Sequence, residues 1–483
     1  MTQAQYTPEE PITSIATALA PAALGIVRVS GKNCIELVSK VFSRPKALLE
    51  AKGNTLVYGW IQTNNEKKET RNDFGKQDSI DNQDTSSIEK IDEVMLAVYR
   101  APKSFTGEDM VEIFCHGGPA VVTAVQNLML KSGFREANRG EYTFRAYING
   151  KTDLTKAEAV KEIIDSHTDA SRSHAAGRLA GSLFQEIDSI KKLIIDTLAS
   201  IEVEIEYPED EETIADTFDR KDIEVAIERL QSLVDSWKGE KLYQDGARVV
   251  LAGRTNAGKS SLFNAILKEE RAIVSDIEGT TRDWLESWAS IGGIPVRLFD
   301  TAGLRETEDI IEAQGVELTR NLSKDADVVL YLIDSKTGIS DDDFEFLDNC
   351  KEPTIIVWNK ADVGEVKVSE EVKEKLSKYD EVHISAKKGI GLKDLFDNVT
   401  KILKTGLTTE RQQAGLGSAR QKESVSEALE CVKHALISAD DNYTLDAVVQ
   451  DLEDAIDSLG EVTGDITPDD VLGSIFANFC VGK

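Results

Sequence analysis

The segment GRTNAGKS, residues 253–260, carries the most specific chemical pattern in this chain of 483 residues. It matches GxxxxGKS/T, a loop whose backbone N–H groups converge on phosphate oxygens. A strand-like run, ARVVLAG, leads into it and a helical run, SSLFNAIL, ends it, as such a loop requires. Lys259 can reach the β and γ phosphates, and Ser260 can offer its hydroxyl to Mg²⁺. The sequence therefore predicts a nucleoside triphosphate site.

The segment DTAG, residues 300–303, follows the strand-like run VRLF. Asp300 would lie at the carboxyl end of a strand, where it can hold Mg²⁺ through water, and the Gly303 N–H can contact the γ phosphate. Many GTPases place a glutamine directly after this segment to orient the attacking water, but here the residue is Leu304. The next residues offer charged candidates among which the sequence does not choose: Arg305, Glu306, Glu308, Asp309 and Glu312.

Base recognition is predicted from NKAD, residues 359–362, which follows TIIVW. Asp362 can accept two hydrogen bonds from guanine N1 and N2. Adenine offers no such donor pair and would leave the carboxylate unpaired. SAKKGIG, residues 385–391, follows VHI in the position of a further GTPase element. Four motifs in this order indicate a GTPase rather than an ATPase.

The elements that must position these motifs are predicted from hydrophobic patterns. From residue 247 to about 404, strand-like apolar runs alternate with helical stretches, which is typical of a parallel sheet covered on both faces. Residues 152–206 and the chain from about 410 onward are interpreted as helices. We therefore predict an α/β domain inserted into a helical domain. The N-terminal region mixes strands and helices and contains a polar, low-complexity loop at residues 63–90.

The formal net charge of −30 argues against a passive basic coat for nucleic acid. A local exception is residues 131–151, with five basic and two acidic residues and interleaved Phe and Tyr. This stretch could hold the carboxylates of a ligand tail or the phosphates of a nucleic acid, and a solvated surface with the aromatic side chains in the core is an equal alternative. Five cysteines without a CxxC pair indicate a reducing compartment. Because no signal peptide, transit peptide or membrane span is visible, we expect no membrane partner and a cytoplasmic location.

The chain ends in FCVGK, which puts Cys480 where a prenylated cysteine would lie. Prenylation requires an aliphatic residue before the last position and a small last residue, and here these are Gly482 and Lys483. Two interpretations remain for the thiol. It is either a small buried apolar residue, with Phe476 and Phe479 packed nearby, or a participant in chemistry.

In its motifs and their order, the chain resembles the MnmE (TrmE) family of tRNA modification GTPases over nearly its whole length. The segments that carry the resemblance are GIVRVSG, APKSFTGEDMVEIFCHGGP, RGEYTFRAYINGKTDLTKAEAV, GRTNAGKSSLFNAI, GTTRD, DTAGLRE, NKAD and FCVGK. Three departures are ANRGE at residues 137–141, where the family usually has ARPGE, Val481, where it usually has isoleucine, and the loop at residues 63–90, which is longer and more polar than usual.

The resemblance implies a fold of class α/β and α in three domains. A tetrahydrofolate-binding-like α+β domain would occupy residues 1–150, and an inserted P-loop, Ras-like G domain would occupy residues 246–405. A discontinuous helical domain would comprise residues 151–245 and 406–483, the second part ending in the FCVGK tail.

The resemblance also implies cofactors and partners. The family forms a homodimer that acts with an FAD-dependent MnmG-type protein in a heterotetramer. Together they add an aminomethyl or carboxymethylaminomethyl group to C5 of the wobble uridine of certain tRNAs. The one-carbon unit comes from 5-formyl- or 5,10-methylene-tetrahydrofolate, while the GTPase uses GTP, Mg²⁺ and K⁺. The alternative function is a switch GTPase for ribosome or RNA assembly, without folate chemistry.

Site residues follow from the resemblance by position. Glu312 corresponds to the acid that orients the water, and Arg305 and Cys480 are the other catalytic candidates. The GTP site would comprise Asn256, Ala257, Gly258, Lys259, Ser260, Ser261, Ser275, Thr280, Thr281, Asp300, Thr301, Ala302, Gly303, Asn359, Lys360, Asp362, Ser385, Ala386 and Lys387. The metal ligands would be Ser260 and Thr281 for Mg²⁺, and Asn256, Ser275, Ile277 and Thr280 for K⁺. The folate contacts would be Arg28, Glu112, Lys151 and Lys483.

Overall fold

The computed structural model of this chain describes residues 10–64, 88–206, 220–269, 285–300, 322–364, 369–405, 414–440 and 445–482. The chain divides into two compact units. Residues up to Ala157 and those from Thr463 onward form the first unit, and Glu158–Val462 form the second. Within the described ranges, no helix combines the length and the apolar character needed to cross a membrane.

The helices and strands are numbered here in chain order. The first unit begins with β1 (Ile12–Ile15), β2 (Leu24–Ser30), α1 (Cys34–Ser39), α2 (Pro45–Leu49), β3 (Thr55–Asn64), β4 (Ile88–Tyr99), β5 (Met110–His116), α3 (Pro119–Lys131), β6 (Arg135–Glu136) and α4 (Glu141–Ile148). Helices then follow as α5 (Leu154–Asp165), α6 (Asp169–Leu179), α7 (Ser182–Glu206) and α8 (Arg220–Asp245).

An α/β segment comes next in the chain. It contains β7 (Ala247–Gly253), α9 (Lys259–Glu269), β8 (Leu285–Ile291), β9 (Ile294–Asp300), β10 (Val328–Asp334), α10 (Asp341–Asn349), β11 (Thr354–Asn359), α11 (Glu370–Leu376), β12 (Asp380–His383) and α12 (Leu392–Leu403). The last helices are α13 (Ala419–Asp440), α14 (Leu445–Thr463) and α15 (Asp469–Ala477).

Six strands of the first unit form a sheet in the order β3-β4-β5-β2-β1-β6. Burial alternates along β2, so Val27 and Val29 point into a core that α1 and α3 also line. Strands were expected in the N-terminal region at LGIVRVSG, TLVYGWI, VMLAVYR and MVEIFCH, and these runs lie in β2, β3, β4 and β5 respectively. β3 and β4 extend into the predicted loop at residues 63–90, since β3 continues to Asn64 and β4 starts at Ile88.

The opposite face of this sheet carries large apolar side chains in registered rows. One row across β3, β4, β5 and β2 consists of Tyr58, Met95, Phe114 and Ile26. Four apolar side chains of the face are between 44% and 61% exposed: Leu24, Leu56, Tyr58 and Met95. We call the surface formed by these six residues the open sheet face.

Helix α15 and the tail after it pack within the first unit. Phe476 is fully buried, and its ring meets that of Phe144 on α4 edge-on, with centroids 5.5 Å apart. Phe479 is buried as well, whereas Cys480 is exposed. The interpretation of Cys480 as a small buried apolar residue is therefore wrong, because its side chain is exposed. The buried rings of Phe476 and Phe479 anchor the tail instead.

The α/β segment forms a six-stranded sheet in the order β12-β11-β10-β7-β9-β8. Its central strands β10 and β11 are nearly continuous apolar runs, because both faces of the sheet are covered there. Helices α9 and α12 line the core on one face, and α10 and α11 line it on the other. The expectation of a parallel sheet fails at the edge, where β8 is antiparallel to β9. Only two residues connect β8 to β9, too few for a crossover.

Helices α7, α8, α13 and α14 share one apolar core. Helices α7 and α8 precede the α/β segment in the chain, and α13 and α14 follow it, so the helical part is discontinuous in sequence. One residue, Gly246, separates the end of α8 from the start of β7. The boundaries at residues 150, 245 and 405 stay predictions.

Candidate functional site

The predicted phosphate loop connects β7 to α9, which starts at Lys259. Gly258 has a φ of +101°, and a Cβ there would lie 2.2 Å from Asn359 Nδ2, so glycine is required. Asn256 also lies in the left-handed region, with a φ of +64°. Asparagine adopts this conformation more readily than most residues. The residue types of the loop thus fit the turn that leads into α9.

Lys259 and Asp300 lie at the same edge of the α/β sheet. Lys259 is 9% exposed, and its ammonium donates to the carbonyls of Gly253 (2.7 Å) and Arg254 (3.0 Å). Asp300 is buried at the carboxyl end of β9, the strand beside β7. Ser260, which follows Lys259 on the first turn of α9, is exposed. Open α/β sheets bind ligands at this edge, where helix N-termini favour anions.

Asn359 joins the base-recognition segment to two other loops. Its Nδ2 donates to the Ala257 carbonyl at 2.9 Å, and its Oδ1 accepts from the Ala386 N–H at 3.1 Å. The ammonium of Lys360, whose φ is +64°, donates to the Asn256 carbonyl at 2.8 Å. Two residues of one motif therefore hold consecutive carbonyls of the phosphate loop.

Asp334 is a functional candidate that the sequence analysis missed. It ends β10, and its Oδ2 accepts from Lys360 Nζ at 2.7 Å, while its Oδ1 accepts from the Lys336 N–H at 2.9 Å. Burial raises the pKa of Asp334, but the bonds from Lys360 and Lys336 outweigh burial and hold it below its usual range. One signal was available: Asp334 ends the strand between the two motif-bearing strands β7 and β11.

Asp362 presents its carboxylate beside the SAKKGIG segment. The Ala361 N–H donates to the Ile384 carbonyl at 3.1 Å, which brings the two segments together. The Lys388 ammonium lies 3.0 Å from Asp362 Oδ2. The nearby Ser385 hydroxyl and then the Lys388 ammonium lower the pKa of Asp362. An ionised carboxylate can accept two adjacent N–H groups, as the guanine hypothesis requires.

Part of the predicted site lies outside the described residues. These positions are Ser275, Ile277, Thr280, Thr281, Thr301, Ala302, Gly303, Arg305, Glu312 and Lys483.

A second polar cluster lies on the face of the N-terminal sheet that also carries the open sheet face. Arg28 on β2 and Glu112 on β5 are registered opposite each other, and Arg28 donates to Glu112 Oε1 from Nε (2.9 Å) and Nη2 (2.7 Å). Arg28 Nη1 also donates to the carbonyl of Gly482 in the tail at 2.9 Å. Lys151 makes a different contact, since its ammonium donates to the Pro102 carbonyl at 3.0 Å.

Tyr142 contacts Arg28 through both its hydroxyl and its ring, and the sequence analysis did not name it as a site residue. Its hydroxyl donates to the Arg28 carbonyl at 2.9 Å, and the Arg28 guanidinium lies 5.5 Å from the centre of its ring. Tyr142 is fully buried, and burial raises its pKa. The phenol therefore stays protonated and keeps donating its hydrogen bond.

The basic stretch at residues 131–151 is largely engaged inside the first unit. Arg135 and Arg145 both donate to the buried carboxylate of Glu141, and Arg145 also pairs with Glu108. Burial raises the pKa of Glu141, but hydrogen bonds, first from Arg135, outweigh it and the pKa falls below its usual range. Two of the five basic residues of this stretch thus neutralise carboxylates within the unit. The solvated-surface alternative is wrong for Arg145, which is fully buried.

Comparison with known proteins gives consistent matches. A family model described as GTP-binding protein TrmE N-terminus matches residues 11–151, and one described as MnmE helical domain matches residues 154–480. A protein named tRNA modification GTPase MnmE from Treponema denticola is 49% identical over 99% of this chain and 99% of its own length. Proteins of the same name are 40% identical in Treponema pallidum, over 99% of both chains, and 38% identical in Borrelia turicatae, over 98% of both.

Proposed function

We propose, because the chain belongs to the MnmE family of tRNA modification GTPases, that K⁺-dependent GTP hydrolysis serves transfer of a folate one-carbon unit to a wobble uridine of tRNA. Family membership makes the chain a GTP hydrolase that acts in tRNA modification. The proposed product carries an aminomethyl or carboxymethylaminomethyl group at C5, and an FAD-dependent MnmG-type protein is the proposed partner. We place the reaction in the cytoplasm, which the five free cysteines support, because thiols stay reduced in that compartment.

The proposed GTP site combines the phosphate loop with the base-recognition segment. Lys259 and Ser260 would bind the phosphates and Mg²⁺, and Asp362 would accept from the guanine base. The bonds from Asn359 and Lys360 to the loop carbonyls support this assignment, because they hold the two halves of the site together. Glu312 would orient the attacking water, and Arg305 is the second candidate at the γ phosphate.

The single observation that carries the folate part is the Arg28–Glu112 pair beside an apolar sheet face. A pterin ring is flat and presents an amino group next to an N–H, which suits a carboxylate. Its glutamate tail carries carboxylates, which suit arginine and lysine. Arg28, Glu112, Lys151 and Lys483 are the proposed contacts, and Cys480, exposed in the tail, is the proposed reacting or positioning thiol.

Binding of 5-formyl-tetrahydrofolate to the full chain, measured by titration calorimetry, tests the folate part. We expect Arg28→Ala and Glu112→Gln each to weaken binding at least tenfold, because losing a hydrogen bond to a charged group costs about 1.5–3 kcal/mol. Arg44→Ala is the matched control: Arg44 is exposed in the same unit and donates to the Tyr58 carbonyl. If the unchanged chain binds no reduced folate, the assembly-switch alternative is favoured instead.

The K⁺ part rests on Asn256, whose left-handed conformation sets it in the phosphate loop. A cation beside the phosphates supplies the positive charge that an arginine finger otherwise brings to the transition state. We expect GTP turnover in KCl to exceed that in NaCl by at least about tenfold, because a single transition-state contact contributes up to about 10²–10³-fold.

Asn256→Gly makes this test specific, because glycine keeps the loop conformation and removes the ligand oxygen. We expect its turnover to be equal in KCl and NaCl. Asn256→Asp, which retains an oxygen, should keep part of the K⁺ stimulation. Equal rates for the unchanged chain in both salts would contradict the K⁺ assignment.

The open sheet face supports a homodimer. An apolar surface with four large exposed side chains is unusual on an isolated domain. A second copy of the same face could cover it by two-fold symmetry.

A further inference from the structure

Arg178 of α6 is a buried cation that no part of the proposed mechanism uses. Its side chain is 2% exposed and lies between two carboxylates from different helices. Its Nε donates to Glu162 of α5 at 2.8 Å, and its Nη1 donates to Glu240 of α8 at 2.8 Å. His174 Nδ1 approaches the other oxygen of Glu240 at 2.9 Å. One guanidinium therefore ties three helices together.

The same cluster packs closely against the segment that precedes α13. Arg178 Nη1 also donates to the Gly415 carbonyl at 3.4 Å. A Cβ at position 415 would lie 2.3 Å from Glu240 Oε1, and one at position 417 would lie 2.2 Å from Glu162 Oε1. Gly417 is held further by Gln244, whose Nε2 donates to its carbonyl at 2.8 Å. Both positions thus require glycine, because the carboxylates occupy the space of a side chain.

These contacts lie at both connections between the G domain and the helices. Glu240 and Gln244 belong to the last turns of α8, and Gly246 alone separates α8 from β7. Gly415 and Gly417 lie between the last helix of the G domain, α12, and α13. The chain enters and leaves the G domain through one buried ionic cluster.

A second contact lies nearby, on the strand that follows the GTTRD segment. The indole of Trp288 on β8 stacks on His167, just before α6, with ring centroids 3.9 Å apart and planes 18° apart. Gly246 makes room for the indole, since a Cβ there would lie 2.4 Å from Trp288 Cζ3. β8 starts two residues after Asp283, the end of GTTRD, so this contact is adjacent in sequence to a proposed nucleotide-sensing segment.

We propose that Arg178 and Glu240 are positioning residues that fix both connections of the G domain to α5 and α6. Because the connections are held rigidly, these helices then move when the G domain moves during the GTPase cycle. Flexible connections would let the G domain move without them. The stack of Trp288 on His167 gives the same helices a second contact with the G domain. A buried charge with two partners suits this role, because its directional bonds specify one arrangement.

The test compares GTP hydrolysis with tRNA modification in the same variants. Arg178→Met removes the charge, and Gly417→Ala forces the connection away from Glu162 without removing a charge. We expect both purified chains to hydrolyse GTP at near the unchanged rate. In cells with the variant as their only copy, nucleoside mass spectrometry of tRNA should show about a tenfold loss of the modified nucleoside, within the usual range of coupling between sites.

The controls are matched to each change. Arg229→Met removes another arginine of the bundle, one that bridges α8 to Glu186 of α7 away from the connections. Gly473→Ala adds a methyl group where nothing lies within 4 Å. Both controls should keep hydrolysis and modification.

For Arg178→Met and Gly417→Ala, the proposal is overturned by a parallel loss of hydrolysis and modification in a folded variant, or by no loss of either. If Arg178→Met does not fold, Gly417→Ala still decides, because it keeps every charge of the cluster. Arg178→Lys retains the charge without the fork geometry and should recover only part of the modification. Full recovery with lysine would show that charge alone matters, which contradicts a directional clamp.

Discussion

At the scale of single residues, the Lys360 ammonium links the phosphate loop to Asp334. It sits between the Asn256 carbonyl and the Asp334 carboxylate, at 2.8 and 2.7 Å. We expect Asp334→Asn to weaken GTP and GDP binding by about fivefold, since an ion pair of this exposure is worth roughly 1 kcal/mol. The kcat at saturating GTP should change little, because Asp334 acts only through Lys360. Fluorescence titration with labelled nucleotides measures the first effect, and steady-state kinetics measures the second.

Asp327 provides the control for this change. It lies just before β10, at the opposite end of the strand from Asp334, and its carboxylate accepts from the Arg248 N–H at 2.7 Å. Asp327→Asn should leave nucleotide affinity unchanged. A double variant, Asp334→Asn with Lys360→Met, should be no weaker than Lys360→Met alone. Additive losses would mean that Asp334 reaches the nucleotide by another route.

The motif residues could be predicted because their chemistry is local in sequence. A glycine, a lysine and a serine at fixed spacing define a phosphate loop before any fold is known. Asp334, Lys388 and Tyr142 could not be predicted in this way, since each acquires its role from a partner on another strand or loop. Position at the carboxyl end of a buried strand was the one sequence signal for Asp334.

At the scale of elements, the sequence predicted best where one period dominates. The apolar runs of β10 and β11 are strands because only a sheet covered on both faces buries every residue. The helices at residues 152–206 were less well predicted, because the run that starts with AAGRLAGSLF, residues 175–184, has no obvious break. It is interrupted between α6 and α7, where Gly181 has a φ of +98°.

The open sheet face is a second feature of this scale that could not be predicted from the sequence. Alternation along β2, β3 and β4 tells which side chains share a face. It does not tell which face the helices cover, because both faces of these strands carry large apolar residues. Only the packing of α1 and α3 on Val27, Val29 and their neighbours decides the question. The exposed apolar rows therefore emerged from the structure and not from the sequence.

At the scale of the whole molecule, net charge and apolar surface act against each other. A chain with a formal charge of −30 repels its own copies, so long-range attraction cannot bring two of them together. Burial of the open sheet face would have to supply the association energy. Salt at 0.1 M screens the repulsion between exposed charges more than about 10 Å apart and leaves apolar burial intact. The proposed dimer should therefore tighten, not weaken, as salt rises from low concentration.

Substitutions on the open sheet face test this expectation. Met95 lies opposite Tyr58 in the centre of the exposed rows, and Met95→Asp would place a charge where the second copy should bury it. We expect the unchanged chain to sediment as a dimer and Met95→Asp as a monomer, with GTP still bound by both. Leu49→Asp is the control, because Leu49 is 42% exposed on α2 and outside the open sheet face. A Met95→Asp chain that stays dimeric would assign the dimer contact to another surface and leave the exposed rows unexplained by self-association.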